Sequence, residues 1–395
     1  MGRSSRPVQR KDDDGGGGSC CTWPRIILMV IVLAVSGILI WQFAPVDEAI
    51  NSILPTYNNT GSSSNVEGPS TGGSNGGGSN TVAPTESPQY QFIQCDDDGQ
   101  PCCNGLNSNC NLRVNEILYA MPHNAMATFD DGFIFGPNHQ RPLEMAVEAG
   151  FRGLNLDICN CGGQTIFCHG ICSLGPRAVV PVMQNVNTFL DNNPTELIIF
   201  VYQVNSAVDQ PVDLNAFYNQ MAAVDGFLDK LYVHPGNNAT WPTLGELIDP
   251  AVNKRVIMFH YNGPNCNLFP DECPSGLHWY YNYASDNDWE HGSVSSITNT
   301  DTSCALRANA GGNRVDWIGL NNFVSPPSRD AAQRLNAYDT AKAYIEACSA
   351  ILNNDINFLI TDFWEQGELP RLVQDHNRAR ALAQSRKRTL LRSPP

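Results

Sequence analysis

Between Gln94 and Asn377 short apolar runs alternate with helical stretches, and eight of the runs close on polar side chains. They are 116–122 (EILYAMP), 152–158 (RGLNLDI), 165–169 (TIFCH), 197–203 (LIIFVYQ), 255–261 (RVIMFHY), 278–284 (HWYYNYA), 316–323 (DWIGLNNF) and 356–363 (INFLITDF). Runs of this length, rich in β-branched and aromatic residues, read as buried strands. Helices are expected at 141–150, 178–192, 213–230 and 338–353, where apolar residues recur at three- and four-residue spacing. Pro194 stops the second of these just before a strand. The pattern predicts an α/β fold, a single-domain (β/α)8 TIM-type barrel over residues 94–377. The Gly/Ser/Asn-rich stretch between the sixth and seventh runs carries the least helical signal.

A barrel of this kind builds its site from the carboxyl ends of its strands. Those ends carry His123 and Asn124, Asn155 and Asp157, His169, Gln203, His260 and Tyr261, Tyr281 to Tyr283, Asn321 and Asn322, and Asp362. Asn155 and Asp157 lie two residues apart and so share a strand face. One mouth would gather at least two histidines and two aspartates.

The flanking segments place the domain. Residues 26–44 (IILMVIVLAVSGILIWQFA) carry no charge and are long enough to span a bilayer. Trp23 and Trp41 mark the ends of this run, and Arg3, Arg6, Arg10, Lys11 and Arg25 precede it. The expectation is a cytoplasmic tail at 1–25 and a type II signal anchor at 26–44. A Gly/Ser/Asn-rich flexible stalk follows at 45–93, and the barrel then faces the lumen or the exterior. Twelve of the 14 cysteines follow the anchor, an even number suited to an oxidising compartment, and sequons stand at Asn58 and Asn238. Residues 26–377 hold 13 basic against 36 acidic side chains, about −23, which argues against nucleic acid as a partner. The tail 378–395 is basic, without an acidic residue, and reads either as a solvated terminus or as a segment that touches an anionic lipid surface.

The segment TIFCHGIC sets His169 among cysteines. Cys159, Cys161, Cys168 and Cys172 could by number hold zinc, but C-x-C with C-x3-C is a poor zinc-finger spacing, and the compartment favours disulfides. Which cysteines pair is not legible from spacing. Side chains alternate along a strand, so a His169 facing the mouth leaves Cys168 facing the helices.

Four segments in order, MPHNAMA, LEMAVEAGFRGLNLDI, QTIFCHG and NPTELIIFVYQ, resemble the X domain of phosphatidylinositol-specific phospholipases C. Within that family they are most similar to the secreted or anchored, cysteine-containing group of plants and microbes, where KRVIMF, NNF and ITDFW also have counterparts. The resemblance covers roughly residues 112–365. It implies hydrolysis of a membrane-lipid phosphodiester, phosphatidylinositol or a glycosyl-phosphatidylinositol, through an inositol 1,2-cyclic phosphate. His123 would act as base, His169 as acid, and Asp362 would orient His123. Asn124, Asp157, Arg177, Gln203, Tyr283 and Asn321 would meet the substrate or its phosphate. Eukaryotic relatives hold calcium at positions matching Asn124, Asn155, Asp157 and Gln203; with a single carboxylate left, Asn124 and Asp157 would hold it weakly. Bacterial relatives use an arginine where this chain has Cys159, which leaves Arg177 as the candidate phosphate ligand. The rival readings are an inactive barrel serving as a surface binding module and a phosphodiesterase for another headgroup.

Overall fold

A computed structural model describes residues 102–133, 136–170, 172, 175–204, 212–236, 239–261, 274–307 and 315–392. The expected tail at 1–25, anchor at 26–44, stalk at 45–93 and sequons at Asn58 and Asn238 lie outside the described residues. Among the described residues no helix is long and apolar enough to cross a membrane.

Among the described residues nine strands form two sheets. In the first, β1 (Tyr119–Pro122), β9 (Phe358–Thr361), β8 (Trp317–Asn321) and β7 (Ala284–Asp286) pair in parallel in that order. In the second, β2 (Gly153–Cys161), β4 (Ile198–Val204), β5 (Val256–His260) and β6 (Leu277–Trp279) are parallel, and β3 (Gln164–Phe167) runs antiparallel on the β2 edge. The eight parallel strands follow one winding order, but no continuous ladder closes the sheets into one. Side chains bridge the seam between β1 and β2. Asn155 Oδ1 accepts from Asn124 N at 3.1 Å, and a Cβ on Gly153 would come within 2.7 Å of Met121.

The eight parallel strands are not the eight expected. The run 165–169 is the return arm of a hairpin rather than a parallel strand. Gly162 and Gly163, both at positive φ, form the two-residue loop between Cys161 and Gln164. The run 278–284 instead supplies two strand pieces, β6 and β7, joined by a 3-10 turn at Tyr280–Asn282. Disulfides Cys159–Cys168 and Cys161–Cys172 staple the hairpin, which overturns the zinc alternative because all four thiols are consumed. Cys103–Cys110 and Cys304–Cys348 pair elsewhere.

Alternation along the strands sorts the core into layers. Ile198, Phe200 and Tyr202 of β4, with Leu154, Leu156 and Ile158 of β2, pack outward; there they meet the helix Val179–Asn192 through Val182, Met183, Val186 and Leu190. Ile199 and Val201 turn inward and join Tyr119, Met121, Phe259, Trp317 and Ile360, so both sheets share one interior. Leu359 and Leu320 pack outward beneath the helix Tyr338–Leu352.

Both ends of the described chain lie at the amino ends of the strands. Asn104 N donates to Thr195 O, and Asn104 Oδ1 accepts from Leu197 N, just ahead of β4. The last helix, Leu369–Arg392, packs beside β1. Asn377 brackets the backbone of Leu118, and Arg380 donates to Glu116 O and Ile356 O. The basic tail thus continues one helix without a break at residue 377.

Candidate active site

His123 follows β1 and Asp362 follows β9, and these strands are parallel neighbours, so their ends converge. His123 Nδ1 lies 3.0 Å from Asp362 Oδ1, and the carboxylate is 2% exposed. Asn138 Nδ2 donates to the same oxygen at 2.8 Å. A carboxylate only accepts, so the proton of His123 sits on Nδ1 and Nε2 is left as an acceptor. Phe323 stacks on the imidazole with centroids 3.9 Å apart and planes 11° from parallel. Behind it, His139 Nε2 donates to His123 O at 2.7 Å, and His139 Nδ1 accepts from Trp364 N at 3.3 Å. Burial pushes the pKa of His139 down to about 4, so this ring is neutral.

The inward face of β2 supplies Asn155 and Asp157, with Leu154, Leu156 and Ile158 on the other face. Burial lifts the Asp157 carboxyl to about 7, against the opposing pull of His123. Asn124 adopts φ +46°, a left-handed conformation that asparagine tolerates better than most residues. The β2–β3 hairpin folds His169 back over the end of β2, where Cys168 N donates to Asp157 O at 3.2 Å. Burial first, and then the charge of His123, lower the His169 pKa from its ordinary value.

The facing wall is built on β7. Asp286, 1% exposed, accepts from Arg307 Nε at 3.1 Å and from Arg307 Nη2 at 2.5 Å. The same Nη2 donates to Tyr281 OH at 2.9 Å, and Arg307 N donates to Asp286 O. Burial works against the guanidinium charge, but Asp286 outweighs it and holds the group protonated above its ordinary range. His123, Asp157, His169, Gln203, Arg307 and Asp362 all line one cavity of about 460 Å³ at the carboxyl ends of the strands. Asn124 Oδ1, Asp157 Oδ1 and Asp362 Oδ2 are buried and have no hydrogen-bond partner among the described residues.

The profile of the family described as PI-PLC X matches residues 110–377. The chain belongs to the PI-PLC X family. Solved structures similar to it include the phosphatidylinositol-specific phospholipase C from Listeria monocytogenes, at 15% identity and TM-score 0.47, covering 73% of this chain and 97% of that one. A Staphylococcus aureus phosphatidylinositol-specific phospholipase C aligns at 13% identity and TM-score 0.46, covering 72% and 96%. No curated protein sequence matches the chain.

Of the residues expected at a PI-PLC X site, His123, Asn124, Asp157, His169, Gln203, Asn321 and Asp362 line the cavity. Two others lie elsewhere. Arg177 pairs with Asp131 at 3.2 Å and Glu144 at 2.9 Å, because its backbone bridges to Phe167 and turns it toward the helix Leu143–Glu148. Tyr283 packs edge-on against Trp241 and His234 in the interior cluster, while Tyr281 takes the place at the cavity. Calcium fits the four matching positions poorly. Asn155 Oδ1 is already engaged by Asn124 N, Gln203 is exposed, and Asp157 is the single carboxylate among the four, where a hard cation prefers several charged oxygens. Among the described residues no cluster of three or more His, Cys, Asp or Glu side chains is arranged to hold a metal ion. Asn138, His139, Asp286 and Arg307 were not expected. Each stands in a loop or at the end of a very short strand, where neither apolar period nor spacing marks it.

Proposed function

We propose that this PI-PLC X protein is a phosphodiesterase of the phospholipase C type. It cleaves phosphatidylinositol or a glycosyl-phosphatidylinositol, and a type II anchor at residues 26–44 holds its domain on the lumenal or outer side of a membrane. Disulfides suit that compartment. The observation that carries the activity is His123, tied through Nδ1 to buried Asp362, sharing a cavity with His169.

In this reading His123 Nε2 takes the proton of the inositol 2-hydroxyl as that oxygen bonds to phosphorus. The bond from phosphorus to the diacylglycerol oxygen breaks, and His169 delivers its proton to the departing oxygen. Inositol 1,2-cyclic phosphate and diacylglycerol result, and water reopens the ring with the two roles reversed. Asp362 stabilises the imidazolium that forms on His123. The unpartnered oxygens of Asn124 and Asp157 are acceptors suited to the hydroxyls of a polyol headgroup.

The test is ³¹P NMR of phosphatidylinositol micelles incubated with the full-length protein in detergent. His123→Ala, with its circular dichroism unchanged, is expected to lose cyclic product by about 10²–10⁴-fold. His169→Ala should lose as much on lipid, yet recover most of its rate on an inositol phosphodiester with a nitrophenolate leaving group, which departs without a proton. Wild-type protein that is folded and yields no cyclic product would sink the reading.

A further inference from the structure

Attack on a phosphodiester builds negative charge on the non-bridging oxygens, and a preorganised cation nearby lowers that barrier. The four positions on β1, β2 and β4 do not fit a divalent ion, so the positive charge has to come from another wall of the cavity. Among the described residues lining it, Arg307 is the one lysine or arginine. A guanidinium keeps its charge at every working pH. We propose that Arg307, gripped by Asp286, is the anion-binding residue of this cavity and takes the substrate phosphate where a metal ion would otherwise stand. The ligand class, a phosphate ester, rests on the phosphodiesterase reading; the anion site itself does not.

The geometry is that of a mounted guanidinium. Asp286 uses Nε and Nη2, Tyr281 OH shares Nη2, and Nη1 has no partner among the described residues. A quarter of the Arg307 side chain is exposed, whereas its carboxylate partner is buried. The pairing fixes the guanidinium before substrate arrives, so little side-chain freedom is lost on binding. Asp286 and Asp362 end strands separated only by β8, about 10 Å along the wall, a gap that an arginine and a phosphate together can bridge. This cation enters from the loop after β7. It is therefore unrelated in position to Cys159, where the resemblance would have looked for one.

The experiment combines turnover with calorimetric binding of inorganic phosphate, using full-length protein in detergent. Wild-type protein should bind phosphate and keep its turnover in EDTA. Arg307→Gln should weaken phosphate binding about tenfold or more, and Arg307→Lys by less, because a point charge cannot replace the fork. Arg307→Gln alone leaves a buried carboxylate unpaired, so the double variant Asp286→Asn/Arg307→Gln removes both charges and should show the same loss with its fold intact. Phosphate binding within twofold of wild type in the double variant would overturn the inference. So would turnover abolished by EDTA and restored by Ca²⁺. Lipid turnover with normal Arg307 variants removes this inference and leaves the phosphodiesterase; Arg307-dependent phosphate binding without lipid turnover does the reverse.

Discussion

Asp157 carries its proton further up the pH scale than a solvated carboxyl would, to about 7, because burial disfavours its charge. A folded pKa raised above the unfolded value adds stability that is complete below the unfolded pKa, near 4, and is lost as pH rises through 7. Asp157→Asn, measured by thermal melting, is therefore expected to raise Tm at pH 8 and to leave it unchanged near pH 4. His169 has the opposite displacement and a different consequence. In the proposed reaction its acid form donates, and burial lowers its pKa from the ordinary value of 6.5, so the alkaline limb of kcat/KM should fall below that pH. A limb that sits at 7 or above would contradict the assignment. His123, Asp157, His169 and Asp362 were legible as polar residues closing apolar runs. His139 was not, since nothing in PNHQ distinguishes a buried buttress from a solvated loop. Its neutral ring makes two buried bonds to backbone groups, and His139→Leu should lower the unfolding free energy, read from denaturant titration, by about 1–3 kcal/mol for each group stranded.

At the scale of elements, the β2–β3 hairpin decides where His169 stands. Its signal was present in the sequence: two glycines between Cys161 and Gln164 are the residues that a two-residue turn with positive φ demands. Counting TIFCH as a parallel strand overlooked that turn. The aromatic run 278–284 misled in the other direction, because nothing in its composition breaks where the 3-10 turn at Tyr280 begins. Of the expected helices, 213–230 stops at Ala222 and 141–150 holds only Leu143–Glu148, whereas two were easier, since their period is set by the same apolar residues that pack on the sheets. Val179–Asn192 and Tyr338–Leu352 fall within a residue of the expected bounds. The hairpin's two disulfides span only 9 and 11 residues of sequence, so each should contribute about 2–3 kcal/mol by restricting the unfolded chain. Cys161→Ala/Cys172→Ala is expected to lower kcat at temperatures where the variant is still folded, because the released arm carries His169, the proposed acid. Equal activity in this double variant would show that the staple serves stability alone.

For the whole molecule, the basic tail is better understood from where it leaves than from its charge. Arg380 is fixed at the amino ends of β1 and β9, so the residues beyond it extend the helix away from the cavity. A truncation after Gln384 removes Arg386, Lys387, Arg388 and Arg392 and should leave turnover on anionic vesicles undiminished; a large loss would mean that the tail does bring the cavity to lipid. The entry of the chain beside β4 lies at that same end. Among the described residues the cavity thus opens at the carboxyl ends of the strands, while Asn104 and Arg380 lie at the amino ends.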